Sequence, residues 1–320
     1  MPTRKDVSRM KIIEEKEVLE QLSMQKCMEL MKTALMDLET GKGMQPMRNV
    51  IRLPHGNLFG FMPAYLGDGD CFGAKILTAF PGNAGTQYPS HIGYVMMFDA
   101  EHGTVLGMAD ANAITMIRTG AVSGVATDLL AREDASHLAI IGAGAQGRSH
   151  LEAISLIRDL KKVTVYDISR QQAEKFVADA KSRFGITVEI CEDVEHCVKG
   201  ADIICTVTPS KDAYLKAEWV KKGAHINAVG TFSPDKREVT SDLMAVSKLY
   251  ADQVEALKKE SGEYLVPLQE GLIEEDHVVG SIGEVLLGKV PAREAADEIT
   301  LFDALGLAVE DVMCGKFLCK

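Results

Sequence analysis

His137-Leu-Ala-Ile-Ile-Gly142-Ala-Gly-Ala-Gln-Gly147 decides the fold of this 320-residue chain. The apolar run His137–Ile141 reads as a buried strand, and a G-x-G-x-x-G turn follows at once, with a helix expected to open at Arg148. Each glycine has a distinct task in such a turn. Gly142 permits the tight bend, Gly144 lets the backbone approach a pyrophosphate, and Gly147 lets the helix pack on the strand. The free N–H groups and partial positive charge of the helix start then favour an anion. Gly142, Gly144, Ala145, Gln146 and Gly147 are therefore expected to line a dinucleotide.

A glycine triplet alone is weak evidence, because any strand-to-helix turn can use glycine. Here a second strand, Val163-Thr-Val-Tyr-Asp167, ends in an acid 20 residues after Gly147. That is where a carboxylate accepts hydrogen bonds from the adenosine ribose hydroxyls. A carboxylate repels a 2′-phosphate, so NAD is expected, with Arg170 keeping NADP as the other candidate. The competing role for Asp167 is a helix N-cap, which Ser169 can also fill.

The alternation of strand and helix continues outward from this motif. Apolar runs at 138–142, 163–167, 187–191, 202–206, 225–229 and 248–252 read as strands with helix-compatible segments between most of them. That pattern specifies a parallel, doubly wound α/β sheet of the Rossmann type, with helices on both faces. Ligands of such sheets sit beyond the carboxyl ends of the strands. Thr206 and Thr208 after one strand, and Val229 and Gly230 after the next, are expected to border the nicotinamide half of the cofactor. The alternative is ordinary polar turn chemistry.

Toward the amino terminus the pattern changes. Glu14–Thr40 reads as one helix stopped at Gly41-Lys42-Gly43. Leu58–Tyr65, Phe72–Phe80, Ile92–Phe98 and Val105–Ala109 read as a largely antiparallel sheet, with turns such as Gly67-Asp68-Gly69-Asp70 between strands. Ala113–Arg132 is an apolar helix, and a last helix is expected from about Leu301 to Met313, packing back on the first domain.

Length suits about two domains. The net charge of −11 argues against non-specific nucleic-acid binding, since a phosphate backbone needs a basic face. The seven cysteines form no C-x-x-C pair and no zinc spacing, so no metal is expected and the thiols read as reduced. No signal-peptide core follows the charged start Met1–Asp6, and no apolar run reaches the ~18 residues of a membrane span, so a cytoplasmic location is expected.

Three charged residues of the first part stand out. Lys75, in Phe72-Gly-Ala-Lys75-Ile-Leu, shares a strand face with Gly73, Leu77 and Ala79. A lysine there either snorkels to an edge or serves a pocket as acid or base. Arg118 sits in an otherwise apolar helix directly before Thr119-Gly120, and Arg48 follows Pro46-Met47. Arginine suits a carboxylate because its planar fork can bind both oxygens; the alternative for each is a surface charge. His91 either lines the site or is a loop histidine with no role.

Met62-Pro-Ala-Tyr65, Gly73-Ala-Lys-Ile76, Ile117-Arg-Thr-Gly-Ala121, the glycine turn, Gly280-Ser-Ile-Gly-Glu-Val285 and Leu301–Asp311 occur in that order. In these segments the chain resembles the ornithine cyclodeaminase/mu-crystallin family along nearly its whole length. The resemblance implies a Rossmann domain, at 119–300, joined to an α+β substrate and dimerisation domain, at 1–118 with a returning helix at 301–320, in a homodimer. Members act on α-amino acids or their imines with a nicotinamide cofactor. It implies that Arg48 and Arg118 bind the substrate carboxylate and that Lys75 lies near the reacting carbon. The chain departs from the family's cyclodeaminases at one place. They carry an aspartate two residues after the glycine ending the fifth strand, where this chain has Phe232, and Asp235 is displaced by three residues.

The expected activity is NAD(P)-dependent hydride transfer at the α-carbon of a small amino acid or cyclic imino acid, of the alanine dehydrogenase or pyrroline-2-carboxylate/ketimine reductase type. Its rivals are ornithine cyclodeaminase, with recycled NAD, and a non-catalytic mu-crystallin-like binding protein. A catalytic role for Asp235 or Asp303 stays open.

Overall fold

The computed structural model describes residues 10–320 apart from 68, 70 and 84. Met1–Asp6 and both aspartates of the Gly67–Asp70 turn lie outside the described residues. The chain divides into two compact units, one running to Arg118 and resuming at Leu307–Lys320, the other Thr119–Gly306.

The first unit begins with β1 (Lys11–Ile13), α1 (Glu15–Gln21) and α2 (Met24–Glu39). The single helix expected over 14–40 is thus two. Leu22 leaves the helical region at ψ 88, and the Ser23 hydroxyl then caps α2 by accepting the Lys26 N–H. Strands β2 (Asn49–Arg52), β3 (Leu58–Tyr65), β4 (Cys71–Ala79), β5 (His91–Asp99) and β6 (Val105–Asp110) follow. They form a sheet in the order β1-β6-β5-β4-β3-β2, antiparallel except for the parallel pair β1 and β6. Helix α3 (Ala111–Leu130) continues from this unit into the second.

The second unit carries β7 (His137–Ile141), α4 (Ala145–Ser155), β8 (Lys162–Tyr166), α5 (Arg170–Phe184), β9 (Glu189–Ile190), α6 (Val194–Val198), β10 (Ile203–Thr206), β11 (His225–Ala228), α7 (Ser241–Val246), β12 (Ser247–Ala251), α8 (Val254–Glu260), α9 (Gly262–Gln269), β13 (Val278–Ser281), α10 (Ile282–Leu286) and β14 (Ile299–Asp303). Its eight strands are all parallel, in the order β13-β12-β14-β11-β10-β7-β8-β9. Strand order reverses between β7 and β10, which makes the carboxyl end of β7 the crevice for a ligand. Alternate strand residues feed two separate cores. Ala139, Ile141, Ile204 and Ile226 face one, and Leu138, Ile140, Ile203 and Cys205 face the other.

Residues 299–303 correct the expected last helix. They are β14, hydrogen-bonded between β11 and β12. Gly306, at φ 80, then breaks the chain, and the helix α11 runs Ala308–Cys319 within the first unit. There it packs beside α2 and against the sheet. Gly315 lies so close to β5 that an added Cβ would meet the Met97 sulfur at 2.7 Å. No helix of the described residues is long and apolar enough to cross a membrane.

Candidate active site

Lys75 lies on the face of β4 that α11 covers, between Met62 of β3 and Val95 of β5, and is 3% exposed. Its Nζ stands 2.6 Å from Asp311 Oδ2. Arg118, 5% exposed on α3, donates from Nε to Asp311 Oδ1 at 3.2 Å and from Nη1 to Glu310 Oε2 at 2.8 Å. Both acids are fully buried in the first turn of α11. That turn is itself fixed. Glu310 Oε2 accepts the Leu307 N–H at 3.3 Å, and Gln45 Oε1 accepts the Val309 N–H at 3.0 Å. The result is a buried cluster of two cations and two anions.

Burial dominates the Lys75 amine and pushes its pKa below the ordinary lysine value. The Asp311 carboxylate opposes this, while the Arg118 and Arg48 guanidinium groups reinforce it. Arg48 is half-buried and close enough for Lys75 to feel its charge, so the structure brings Arg48, Lys75 and Arg118 together. It does not bring His91 to them. His91 is exposed, pairs with Ala79, and contacts Ser90 Oγ at 3.1 Å. Four residues of ladder, roughly 13 Å, separate it from the Lys75 rung. Glu310 and Asp311 were not singled out by sequence reading, although two adjacent acids inside the apolar run Leu305–Met313 are the signal that marks them.

The second unit builds the glycine turn as its sequence requires. Gly142 has φ 110, and a Cβ there would meet the Val207 carbonyl oxygen at 2.8 Å. Gly147 packs so tightly that a Cβ would lie 2.3 Å from the Gly142 oxygen. Gly144 is the opposite case, since a Cβ would point into open space. Helix α4 starts at Ala145, not at Arg148, because Gly144 itself takes the extended N-cap position. Ala145, Gln146 and Gly147 thereby become the first turn, whose N–H groups have no intrahelical acceptor. The buried His150 holds that turn, its Nδ1 2.7 Å from the Gln146 carbonyl and its Nε2 2.9 Å from Ser123 Oγ. Desolvation takes its pKa down to about 4.

Asp167 follows β8. Its Oδ2 accepts the Ala143 N–H and its Oδ1 the Ser169 N–H, each at 2.8 Å, while Ser169 caps α5. A carboxylate has about four acceptor positions, so both oxygens keep capacity for ribose hydroxyls. Arg170 is exposed, with Nε 3.3 Å from Glu174 Oε1.

Thr206 ends β10, buried, and its hydroxyl has no hydrogen-bond partner among the described residues. Beyond it, Glu238 ties the next loops together. It accepts Thr208 N–H, Thr208 Oγ1 and Tyr214 Oη through Oε1, and Gly230 N–H through Oε2, at 2.6–2.8 Å. A Cβ on Gly230 would strike the Thr208 carbonyl at 2.0 Å, so these two turns, with Val229, form one wall. Below lie further buried acids. Glu263 accepts backbone N–H groups of Glu238 and Val239, and Asp303 pairs with the Ser261 hydroxyl. Burial pushes Asp303 up to about 8. Asp303 is wholly buried and Asp235 exposed. Among the described residues no group of three or more His, Cys, Asp or Glu could hold a metal ion. An open glycine backbone, a fixed helix start and an acid beyond the second strand fit a dinucleotide.

The model of the ornithine cyclodeaminase/mu-crystallin family matches residues 8–319. The chain belongs to that family. Ketimine reductase mu-crystallin of Mus musculus is 39% identical over 279 residues, 87% of this chain and 85% of that protein. The solved Delta(1)-pyrroline-2-carboxylate reductase of Thermococcus litoralis, in complex with NADH and L-proline, superposes with TM-score 0.93 at 34% identity, covering 97% of this chain and 96% of that one. An archaeal alanine dehydrogenase dimer with bound NAD gives TM-score 0.91 at 33% identity, covering 97% and 95%.

Proposed function

We propose that this family member is an NAD(P)-dependent oxidoreductase that transfers hydride at the α-carbon of a small amino acid, keto acid plus ammonia, or cyclic imino acid. One observation carries the reading: a buried lysine beside two arginines, in a unit separate from the dinucleotide turn. Lys75, Arg118 and Arg48 supply cations of the kind that suits a substrate with one carboxylate. The solved relative that holds NADH with L-proline supports the same substrate class. A pure binding protein has no need for a desolvated lysine held by a carboxylate.

When bound, the nicotinamide supplies or accepts the hydride. The chain's own residues do the rest. Arg48 and Arg118 hold the carboxylate and so fix the α-carbon. Lys75 donates a hydrogen bond, then a proton, to the imine nitrogen or carbonyl oxygen. Reduction of C=N thus adds one hydride to carbon and one proton to nitrogen, and Lys75 regains its proton from solvent. Asp167 favours NAD over NADP, since Arg170 is engaged with Glu174.

The other face of the first sheet fits a second copy of the chain. Ile12, Ile51, Phe61, Phe72 and Ile92 project from it at 37–53% exposure, and exposed apolar side chains on one sheet face suit a protein partner. The archaeal alanine dehydrogenase neighbour is a dimer.

The test is NADH absorbance with the purified chain and a panel of pyrroline-2-carboxylate, piperideine-2-carboxylate and pyruvate with ammonia, repeated with NADPH. Net NADH consumption with at least one is expected. Proline and ammonia from ornithine without net NADH change would replace this reading by a cyclodeaminase; Phe232, standing where cyclodeaminases resemble one another in an aspartate, argues against that. Silence with every compound would remove the enzyme.

A further inference from the structure

We propose that Asp311 is a positioning residue for the reaction, anchoring the Lys75 amine in one place and as the proton donor, while Glu310 steadies Arg118. The inference rests on the hydride-transfer reading and names what makes its lysine work.

A lysine side chain has four rotatable bonds and, where exposed, no fixed place for its charge. Lys75 has one, because Asp311 Oδ2 sits 2.6 Å from its Nζ and both side chains are buried. Without a counter-charge an ammonium at that depth would lose its proton. A neutral amine accepts protons, and reduction of an imine needs a donor.

The surroundings leave this task to Asp311. On β3 and β5 the residues flanking Lys75 are Met62 and Val95, which carry no charge. Helix α3 contributes Arg118, and Arg48 stands nearby; both are cations and push Lys75 toward neutrality. Helix α11 contributes Asp311, Glu310 and the Cys314 thiol, whose sulfur lies 3.7 Å from that of Cys27. The contact with Cys27, and then burial, push that thiol's pKa well up and hold it protonated, so it adds no charge. Asp311 also spans the two cations, with Oδ1 on Arg118 Nε. Glu310 takes Arg118 Nη1 and the Leu307 N–H, which sets the rotation of α11 and therefore where Asp311 points.

The experiment compares wild type with Asp311→Asn and Asp311→Glu, in the full chain. Nζ resonances of 15N-lysine-labelled apo protein are followed against pH, with Lys75 assigned as the signal missing in Lys75→Met. In Asp311→Asn the Lys75 signal should titrate at least about one pH unit lower. The alkaline limb of kcat for imine reduction should move with it, kcat near neutral pH should fall about 10- to 100-fold, and KM for NADH should stay unchanged. Asp311→Glu keeps the charge but displaces Nζ by one methylene, so its alkaline limb should stay and its kcat should fall about tenfold. An Asp311→Asn titration identical to wild type, or wild-type kcat in Asp311→Glu, overturns the proposal. The second test holds even if the asparagine variant fails to fold. Wild-type silence on every substrate would refute hydride transfer alone, because the Nζ titration needs no turnover.

Discussion

Gly144→Ala separates the dinucleotide site from the fold that carries it. Gly144 sits at φ −78 and ψ −162, a backbone open to any residue, and the added methyl meets nothing within 4 Å. Alanine is a poorer N-cap than glycine by about 1 kcal/mol, and its stiffer unfolded chain returns about 0.4–1 kcal/mol, so apo stability should move by less than about 1 kcal/mol. The cofactor fares differently. The methyl stands where the pyrophosphate must approach the backbone and displaces one charge-assisted hydrogen bond of about 1.5–3 kcal/mol, or about 10- to 100-fold in Kd. NADH fluorescence titration and a thermal melt of the apo protein measure the two effects. Gly147→Ala is the contrast: its methyl falls 2.3 Å from the Gly142 carbonyl and should damage stability and binding alike. NADH binding by Gly144→Ala within about twofold of wild type would refute the placement of the pyrophosphate on this turn.

Glu238→Gln turns one acceptor into a donor facing the Gly230 N–H, or the Thr208 groups if the amide is reversed. A buried group left without its bond costs about 1–3 kcal/mol, so the melt should drop and KM for NADH rise as the Thr208 and Gly230 turns loosen; an unchanged KM with a lowered melt would confine Glu238 to stability. Asp303 gives a pH prediction. Its folded pKa, about 8, lies above the unfolded value, so its stabilisation is complete below the ordinary carboxylate range and is lost as pH rises through about 8. Each pH unit in that window is worth at most about 1.4 kcal/mol. Glu263, raised by the same burial, adds in the same direction. Urea midpoints should therefore fall from about pH 5 to about pH 9 in wild type and fall less in Asp303→Asn, and equal slopes would show that Asp303 is ionised throughout.

How far the fold could be read from sequence followed from how one-sided each segment's environment is. Strands such as β7 and β10 of the second unit are buried on both faces and spell continuous apolar runs, and β3, β5 and β6 alternate as half-covered strands do. β13, at Val278–Ser281, was not expected, and Ile299–Asp303 failed for the same reason that β7 and β10 succeeded. Its apolar letters continue through Ala304, Leu305, Leu307 and Ala308 into a true helix, and periodicity cannot divide a run buried on all sides. Only the left-handed Gly306 marks the change, and a single glycine is ambiguous between a helix flaw and a break. The division of α1 from α2 hung on Ser23, one polar residue inside a helical pattern.

The site shows the same limit at the level of single charges. Lys75 and Arg118 stood out because each interrupts an apolar face. Glu310 and Asp311 did not, because acids in the first turn of a helix are ordinarily dipole partners in water. What distinguishes them is their partner, 193 residues away for Asp311 and Arg118, which only the fold supplies. Their burial then poses an energetic question. Replacing a buried ion-pair cluster with apolar groups of similar volume is often neutral or stabilising by about 1–4 kcal/mol, whereas removing one member costs about 3–5 kcal/mol. Stability alone therefore does not account for four full charges in the core of a small α+β unit. An ammonium that must survive out of water, at one point, beside a substrate carboxylate does account for them. It requires an acid for the lysine, a second cation to hold the substrate, and a second acid so that the second cation does not expel the lysine's proton.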